Sequence, residues 1–266
     1  QADTAKSLST QEPVAEKKSL HALYTGLGTG SNMIYMGSTI SQDQPYEFGS
    51  ITYGFNDMLY ASFSAVHLSE RSPFAAFSTA SLSFNKTLNS WFDISAGISG
   101  YNVAPSLRDT LFNNFLYTDI TLGIDWRILY TKVSAGGLFT GGYEGYYQIR
   151  NSRFFELPFF KNDKFSLSLD PYVNMMFGTK TKSETSTGKT ITTGNPFKKN
   201  GSNTRTITNT IITDKFGVME VDLGIPVTFN AGRFSFEAEP GYFIPLYDNT
   251  DSKGFLFTLS VIYRIF

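Results

Sequence analysis

The chain of 266 residues contains no cysteine. A disulfide framework, a thiolate metal site and a lipidated N-terminal cysteine are all excluded, because each needs the sulfur of that residue.

Long apolar runs and charge of one sign are also missing. A membrane-spanning helix needs roughly 18 nearly uninterrupted apolar residues, and the sequence has nothing close to that. The 22 Lys and Arg residues nearly balance the 23 Asp and Glu residues, so the electrostatic footprint of a nucleic-acid-binding protein is absent. A transmembrane β-barrel is not excluded, because each of its strands needs only about ten residues of alternating polarity.

The segment 116–127, LYTDITLGIDWR, alternates in polarity along almost its whole length. Successive side chains of a strand point to opposite faces, so this pattern predicts a strand with one apolar and one charged face. In 219–229 the apolar set runs likewise from Met219 through Val221 to Phe229. Similar segments recur between turn signals, and the predicted strands are 31–41, 47–55, 58–70, 74–85, 91–104, 115–127, 128–141, 143–157, 165–180, 212–229, 234–247 and 255–266. Residues 20–30 either extend the first strand or pack elsewhere.

The links between these strands are sorted by length. Tight turns are predicted at 56–57, 85–89, 161–164 and 230–233, and longer links at 105–114, 181–211 and 248–254. Short turns at one end and long loops at the other are typical of outer-membrane barrels, whose short turns face the periplasm. We therefore predict an all-β fold: a single transmembrane antiparallel up-and-down β-barrel of about 12 strands over residues 20–266. The 181–211 segment becomes a long extracellular loop, and an even strand count places both termini in the periplasm.

The N-terminal segment is predicted to lie outside the barrel. The chain begins at Gln1 without a basic or apolar leader, which is interpreted as a mature protein after signal-peptide removal. Residues 1–19 are polar and lack periodicity, so we expect a mobile periplasmic tail.

The charged face of the strands is predicted to line the lumen and the apolar face to contact lipid. The alternative is a soluble sandwich with the apolar face as its core, but sorted loops argue against it. Aromatic residues such as Trp91, Trp126 and Tyr263 fall near the short-turn end, as expected of an interfacial girdle. Buried carboxylates need partners, so we expect a lumen charge network of Asp93, Asp119, Asp125, Arg127, Asp170, Glu220, Asp222, Glu237, Glu239 and Arg264. A cation site among the same acids is the alternative.

Several segments resemble uncharacterised outer-membrane barrels of the Bacteroidetes type: SNMIYMGSTISQDQPY (31–46), FDISAGISGYNVAPSL (92–107), IDWRILY (124–130) and DPYVNMMFG (170–178). Phe266 resembles the terminal aromatic residue that serves such barrels as an assembly signal. Bacteria of this type O-glycosylate an Asp-Ser/Thr-aliphatic motif in exported proteins, which makes Thr4 and Thr110 candidate acceptors.

The resemblance implies a location in the bacterial outer membrane. The implied partners are outer-membrane lipid and lipopolysaccharide, the barrel assembly machinery during insertion, and other outer-membrane proteins in a complex. The resemblance implies no activity.

His67 and Ser69 are the candidate catalytic pair. They resemble the strand-borne His and Ser, two residues apart and facing lipid, of outer-membrane phospholipases and lipid-A deacylases. This spacing puts a base and a nucleophile on one face. A third, orienting group is also needed, and the next strand, 74–84, carries neither Asn nor Glu. An interfacial histidine without catalytic work is the alternative.

Three classes of function stay open: a structural or accessory subunit of an outer-membrane assembly, a narrow channel for ions or small solutes, and a lipid-modifying hydrolase. About eight strands give a filled interior and sixteen or more an open pore, so a count of about twelve strands does not distinguish an occluded barrel from a channel. Inward charges with bulky tyrosines favour an occluded lumen, hence the first class. No cofactor or metal is predicted, since 248–254 lacks the EF-hand pattern and Gly26–Gly30 lacks the last glycine of a dinucleotide fingerprint.

Overall fold

The computed structural model describes residues 20–35, 38–39, 41, 43–69, 71–108, 110–158, 165–185, 190–192, 210–246 and 254–266. Apart from a 3-10 turn at Pro105–Leu107, the regular structure of these residues is strand. The strands are β1 (His21–Gly30), β2 (Ile34–Tyr35), β3 (Ser38–Thr39), β4 (Tyr46–Phe55), β5 (Leu59–Leu68), β6 (Phe77–Asn89), β7 (Phe92–Val103), β8 (Phe115–Asp125), β9 (Tyr130–Phe139), β10 (Tyr143–Ser152), β11 (Phe155–Glu156), β12 (Phe165–Leu169), β13 (Tyr172–Thr185), β14 (Thr190–Thr192), β15 (Thr210–Gly224), β16 (Val227–Ala231), β17 (Phe234–Pro245) and β18 (Gly254–Arg264). Over this part of the chain, no helix has the length and apolar character to span a membrane.

Antiparallel pairing runs around the sheet until it closes on itself. β1 pairs with β4 on one side and with β18 on the other, so the first and last strands are neighbours. The order is β1-β4-β5-β6-β7-β8-β9-β10-β13-β15-β17-β18. The closed antiparallel barrel of 12 strands confirms the predicted fold class. Closure removes the exposed sheet edges that a bilayer does not tolerate.

Some barrel strands are interrupted without leaving the barrel wall. β10 continues into β11, β12 into β13 and β15 into β16 after short breaks. Two breaks contain proline, Pro171 and Pro226, which cannot donate to the ladder. Their carbonyl oxygens still accept from the backbone N–H groups of Arg153 and Asp170, at 3.1 and 3.0 Å. The wall therefore stays hydrogen-bonded across the breaks.

The apolar parity of the strands lies on the outside, as predicted. Leu122, Leu223 and Phe236 are 39%, 39% and 42% exposed on the outer surface. On the opposite parity, Asp222 and Glu237 face the lumen and are partly buried. This inside-out distribution suits a barrel whose outer wall contacts hydrocarbon.

The structure corrects the position of the first strand. It spans His21–Gly30 rather than 31–41, and the predicted segment instead forms a loop with the short hairpin of β2 and β3. The glycines of β1 lie where aromatic rings of β4 cross it: a Cβ on Gly28 or Gly30 would lie 2.5 Å from the ring of Phe48 or Tyr46. These glycines, which look like turn signals in the sequence, provide space inside the barrel.

A bulge in β15 corrects the predicted side of Met219. The pairing of β13 with β15 skips Met219, between Met176 and Phe177 on the facing strand. Met219 and Glu220 are therefore both buried inside, at 1% and 4% exposure. Placing Met219 on the lipid face with Val221 was wrong, because a bulge breaks strict alternation.

Most of the longer connections lie at one end of the barrel and the tight turns at the other, and the three-residue link 140–142 between β9 and β10 is an exception at the long-loop end. β1 and β18 meet at the short-turn end, where the backbone N–H of Leu23 donates to the carbonyl oxygen of Phe266 at 3.2 Å. At the long-loop end, β13 runs to Thr185 and β15 begins at Thr210, so strand structure enters the predicted 181–211 loop from both sides. The tail 1–19, the tight turn 161–164 and most of 248–254 lie outside the described residues.

Candidate functional site

The inner wall of the barrel has two chemically different halves. On β4 to β7 the cross-strand register aligns hydroxyl side chains on the inward parity, and Thr52 and Ser62 are hydrogen-bonded at 2.9 Å. The other half, mainly on β8 to β10, β15 and β17, presents ionisable side chains inward: Asp119, Lys132, Glu144, Arg150, Glu220, Asp222, Glu237 and Glu239. Most of the lumen carboxylates in the described residues therefore lie on one side of the barrel, and Asp93 on β7 is an exception near the short-turn end.

Two tyrosines bind carboxylates across a glycine on an intervening strand. The hydroxyl of Tyr172 donates to Glu239 Oε1 at 2.7 Å, and a Cβ on Gly224 would lie 2.5 Å from the tyrosine ring. We call these tyrosine–carboxylate bridges. Each needs a glycine beneath it, which explains the mixture of glycine, tyrosine and acid on the inward parity.

The second tyrosine–carboxylate bridge lies nearer the short-turn end. The hydroxyl of Tyr130 donates to Asp93 Oδ2 at 2.6 Å. A Cβ on the intervening Gly123 would lie 2.5 Å from both carboxylate oxygens of Asp93.

Arg150 and Asn174 join the first bridge to a further acid. The guanidinium of Arg150 lies over the ring of Tyr172, 3.6 Å from its centroid. Asn174, which is 2% exposed, donates from Nδ2 to Asp222 Oδ2 at 3.2 Å. Neither residue belongs to the predicted network, although the register aligns Arg150, Asn174 and Asp222 across three neighbouring strands. Only the pairing of distant segments shows this alignment.

Other acids of the predicted network are held by hydroxyl groups. Thr121 donates to Asp119 Oδ2 at 3.4 Å, and Thr228 donates to Glu237 Oε2 at 3.3 Å. Glu220 is buried beside the bulge. Among the described residues, no group of three or more His, Asp or Glu side chains is arranged to hold a metal ion.

The remaining members of the predicted network lie apart from these contacts. Asp125 and Arg127 are exposed at the turn after β8, where Asp125 Oδ1 accepts the backbone N–H of Arg127 at 2.7 Å. Arg264 is exposed at the lumen exit, and its Nε donates to the carbonyl oxygen of Phe266 at 3.3 Å. Asp170 lies in the break between β12 and β13. Parity predicts the face of a strand but not the depth along the barrel, so these residues were grouped too broadly.

An apolar cluster, which we call the plug, lies inside the barrel at the long-loop end. Leu107, Leu111 and Phe112 come from the loop between β7 and β8, and Phe112 is 0% exposed. Its ring packs edge-on against Phe77, with centroids 5.3 Å apart. The other plug residues are Tyr46, Val66, Leu68, Ala76, Val103, Phe115, Leu138, Tyr146, Met176 and Met219. The sequence missed the plug because its residues come from a loop and from strand ends that are far apart in the chain.

Cavities lie at the short-turn end and beside the plug. A cavity of about 580 Å³ opens at the short-turn end, with Asp93 and Tyr130 in its wall. A smaller one of about 200 Å³ lies against Tyr172, Asp222 and Glu239. The larger cavity, with Asp57 and Asn85 in its wall, gives water access to the lumen from the short-turn end.

The candidate catalytic pair lies at the long-loop end of β5. The His67 ring stacks on Phe74 with centroids 4.5 Å apart, and its Nδ1 donates to the Phe74 carbonyl oxygen at 2.7 Å. Ser69 Oγ donates to the Pro45 carbonyl oxygen at 3.2 Å. The Phe74 carbonyl oxygen thus occupies the position of the third, orienting group. The Ser69 hydroxyl, however, donates its proton to the Pro45 carbonyl oxygen and not to the His67 imidazole. The hydrolase hypothesis stays a prediction.

The predicted modification and assembly residues lie at opposite ends of the barrel. Thr110 is exposed in the loop that carries the plug, and its Oγ1 donates to the Leu107 carbonyl oxygen at 3.2 Å. Phe266 is exposed at the short-turn end. Thr4 lies outside the described residues. Glycosylation and the assembly signal remain predictions.

These features define a transmembrane β-barrel of the type found in bacterial outer membranes. The chain is similar to LpxR from Salmonella typhimurium, with a TM-score of 0.51 and 9% identity over 90% of this chain and 99% of that one. It is also similar to an outer membrane channel from Pseudomonas putida F1, with a TM-score of 0.49 and 11% identity over 97% and 100% of the two chains. No family model matches the sequence, and no curated protein matches it with statistical significance. The comparisons show the fold, and the link to Bacteroidetes-type barrels stays a prediction.

Proposed function

We propose that the chain is an integral outer-membrane barrel with an occluded lumen, acting as a structural or accessory subunit of an outer-membrane protein assembly. The plug carries this proposal. Close-packed apolar side chains leave little room for hydrated ions, and the buried apolar cluster at the long-loop end therefore supports an occluded lumen. Loop 104–114 supplies three fully or nearly fully buried side chains to it, which supports the proposal that this loop occludes the lumen.

The orientation follows from the connections. Short turns, the start of β1 and the C-terminus share one end of the barrel, and outer-membrane barrels keep their short turns in the periplasm. We therefore place the termini in the periplasm and the plugged mouth outside. Lipid and lipopolysaccharide then surround the apolar outer wall, and the assembly machinery handles the chain during insertion.

Planar-bilayer recording tests the occluded state. The wild-type barrel is expected to insert without conductance steps, because the plug excludes water. Stable ion-selective steps from the wild-type protein would overturn the scaffold proposal. A subunit role further requires a partner. Extraction of the membranes with mild detergent should therefore recover the barrel in a stoichiometric complex, and recovery of the barrel as a lone monomer contradicts the subunit role.

A narrow cation channel is the second candidate, and the acidic wall beneath the plug favours it. If the plug is a gate, the double variant Leu107→Ser, Phe112→Ser should open the barrel to cations in preference to anions, because the inward charges are mostly carboxylates. The exposed loop variant Ser106→Ala is the matched control and should stay closed. A closed double variant that is correctly folded removes the support for this candidate.

A further inference from the structure

The outer wall near the short turns carries a chain of polar side chains on the lipid-facing parity. Trp126 Nε1 donates to Thr131 Oγ1 at 3.1 Å, and Thr131 Oγ1 donates to Asn151 Oδ1 at 2.7 Å. Asn151 shares the outward parity of β10 with Tyr147, which is exposed. Hydrogen-bonding groups on an otherwise apolar outer surface belong to the headgroup region rather than to the hydrocarbon core.

Two arginines meet beside this polar chain. A guanidinium N–H of Arg153, in the break between β10 and β11, donates to the carbonyl oxygen of Arg127. The same guanidinium lies 5.8 Å from the ring centroid of Phe155. Arg127 has a φ of 70°, and its backbone N–H is held by Asp125. The backbone of Arg127 and the guanidinium of Arg153 are therefore neighbours at one point of the rim.

Large apolar side chains flank the arginines. Ile128, Phe154 and Trp126 are 79%, 62% and 59% exposed, and Phe155 continues this surface into the lipid-facing band. An apolar surface that ends at two neighbouring arginines, of which Arg153 has its guanidinium held by a backbone carbonyl oxygen, matches an amphipathic molecule with acyl chains and an anionic head. Arg recognises phosphate with its planar fork of donors, and Trp favours the membrane interface.

We propose that Arg127, Arg153, Thr131, Asn151 and Trp126 form a binding site for the phosphate headgroup of an anionic phospholipid in the leaflet next to the short turns. The site rests on the proposed outer-membrane location, which puts phospholipid rather than lipopolysaccharide at this end. The nearby carboxylates are Asp125, which accepts the Arg127 amide, and Glu156, which has the opposite parity to Phe155 in β11. The acyl chains lie on the surface of Trp126, Ile128 and Phe154.

Tryptophan quenching tests the site, because the chain has only 2 Trp. The full chain with Trp91→Phe leaves Trp126 as the only indole. It is reconstituted in dioleoylphosphatidylcholine vesicles that contain either brominated phosphatidylglycerol or brominated phosphatidylcholine at equal mole fraction. Brominated phosphatidylglycerol is expected to quench the Trp126 fluorescence more than a random mixture of the two lipids would. Arg127→Gln and Arg153→Gln should each reduce the local enrichment of phosphatidylglycerol about fivefold.

Arg233→Gln is the matched control, since Arg233 lies at the same rim and its guanidinium likewise donates to a backbone carbonyl, that of Ile265, at 3.1 Å. This variant should keep the enrichment. Equal quenching by both brominated lipids, or enrichment that survives the double Arg→Gln substitution, overturns the headgroup site. Absence of quenching by either lipid would instead contradict insertion of the barrel, so the two failures are distinguishable.

Discussion

At the residue scale, lumen tyrosines and glycines form matched pairs. The Tyr172 ring passes over Gly224 to reach Glu239, and the Tyr130 hydroxyl passes over Gly123 to reach Asp93. Glycine weakens an isolated strand, but here it admits a hydrogen bond to a partly buried carboxylate, which would otherwise be costly to desolvate. The pairs therefore stabilise the barrel across non-adjacent strands.

Gly224→Ala is expected to destabilise the barrel by about 1–3 kcal/mol, because the new methyl group overlaps the Tyr172 ring and must displace it from Glu239. The measurement is the urea midpoint of unfolding from vesicles. Gly142→Ala is the matched control, since a Cβ there has no neighbour within 4 Å. Equal midpoints for the two variants would contradict the role of the tyrosine–carboxylate bridge.

At the element scale, alternation fixes which face of a strand meets lipid, and a bulge changes it locally. In β15 the extra residue Met219 lets Met219 and Glu220 both face inward, one in the plug and one beneath it. Val218 before the bulge and Val221 after it both face lipid, because Met219 is left out of the pairing with β13.

Deletion of Met219 is expected to leave a foldable barrel, because Val218 and Glu220 then continue the regular pairing with Phe177 and Met176. Deletion of Val221 should block folding, because a one-residue slip moves every following side chain to the wrong face. Gel mobility of unheated samples measures the folded fraction. If both deletion variants fold equally well, removal of the bulged residue is no better tolerated than removal of a paired one, which contradicts this role of the bulge.

At the scale of the whole molecule, the barrel is asymmetric along its axis. One end carries the plug and most of the longer loops. The other carries the open cavity, the start of β1, the C-terminus and the aromatic girdle, in which the rings of Phe234 and Tyr263 are tilted by 42° with centroids 4.7 Å apart. This difference between the two ends of the barrel implies a fixed orientation in the membrane.

Cysteine labelling of intact cells tests that orientation, since the wild-type chain has no thiol. A membrane-impermeant maleimide should modify Ser106→Cys in the long-loop end and should reach Asp57→Cys in a short turn only after permeabilisation. Both positions are exposed, so accessibility in detergent is the internal control. The reverse pattern would place the termini outside the cell.

The sequence by itself determined the class of fold. Period-two polarity, sorted connections and the absence of apolar helices leave the closed barrel as the structure that hides the strand edges and exposes Leu122 and Phe236 to lipid. It also predicted one shared strand face for acids such as Asp93, Glu237 and Glu239, because alternation needs no tertiary information.

Only the tertiary structure decided how deep each residue lies and what it contacts. The glycines of β1 indicate a turn when only the sequence is considered. In the structure, the rings of Phe48 and Tyr46 occupy the space above them. Arg127 and Asp93 share the charged parity, yet one lies at the rim and the other in the lumen wall. The plug joins a loop to strand ends from most of the barrel. Local alternation carries no information about such contacts, because they depend on which distant strands closure brings together.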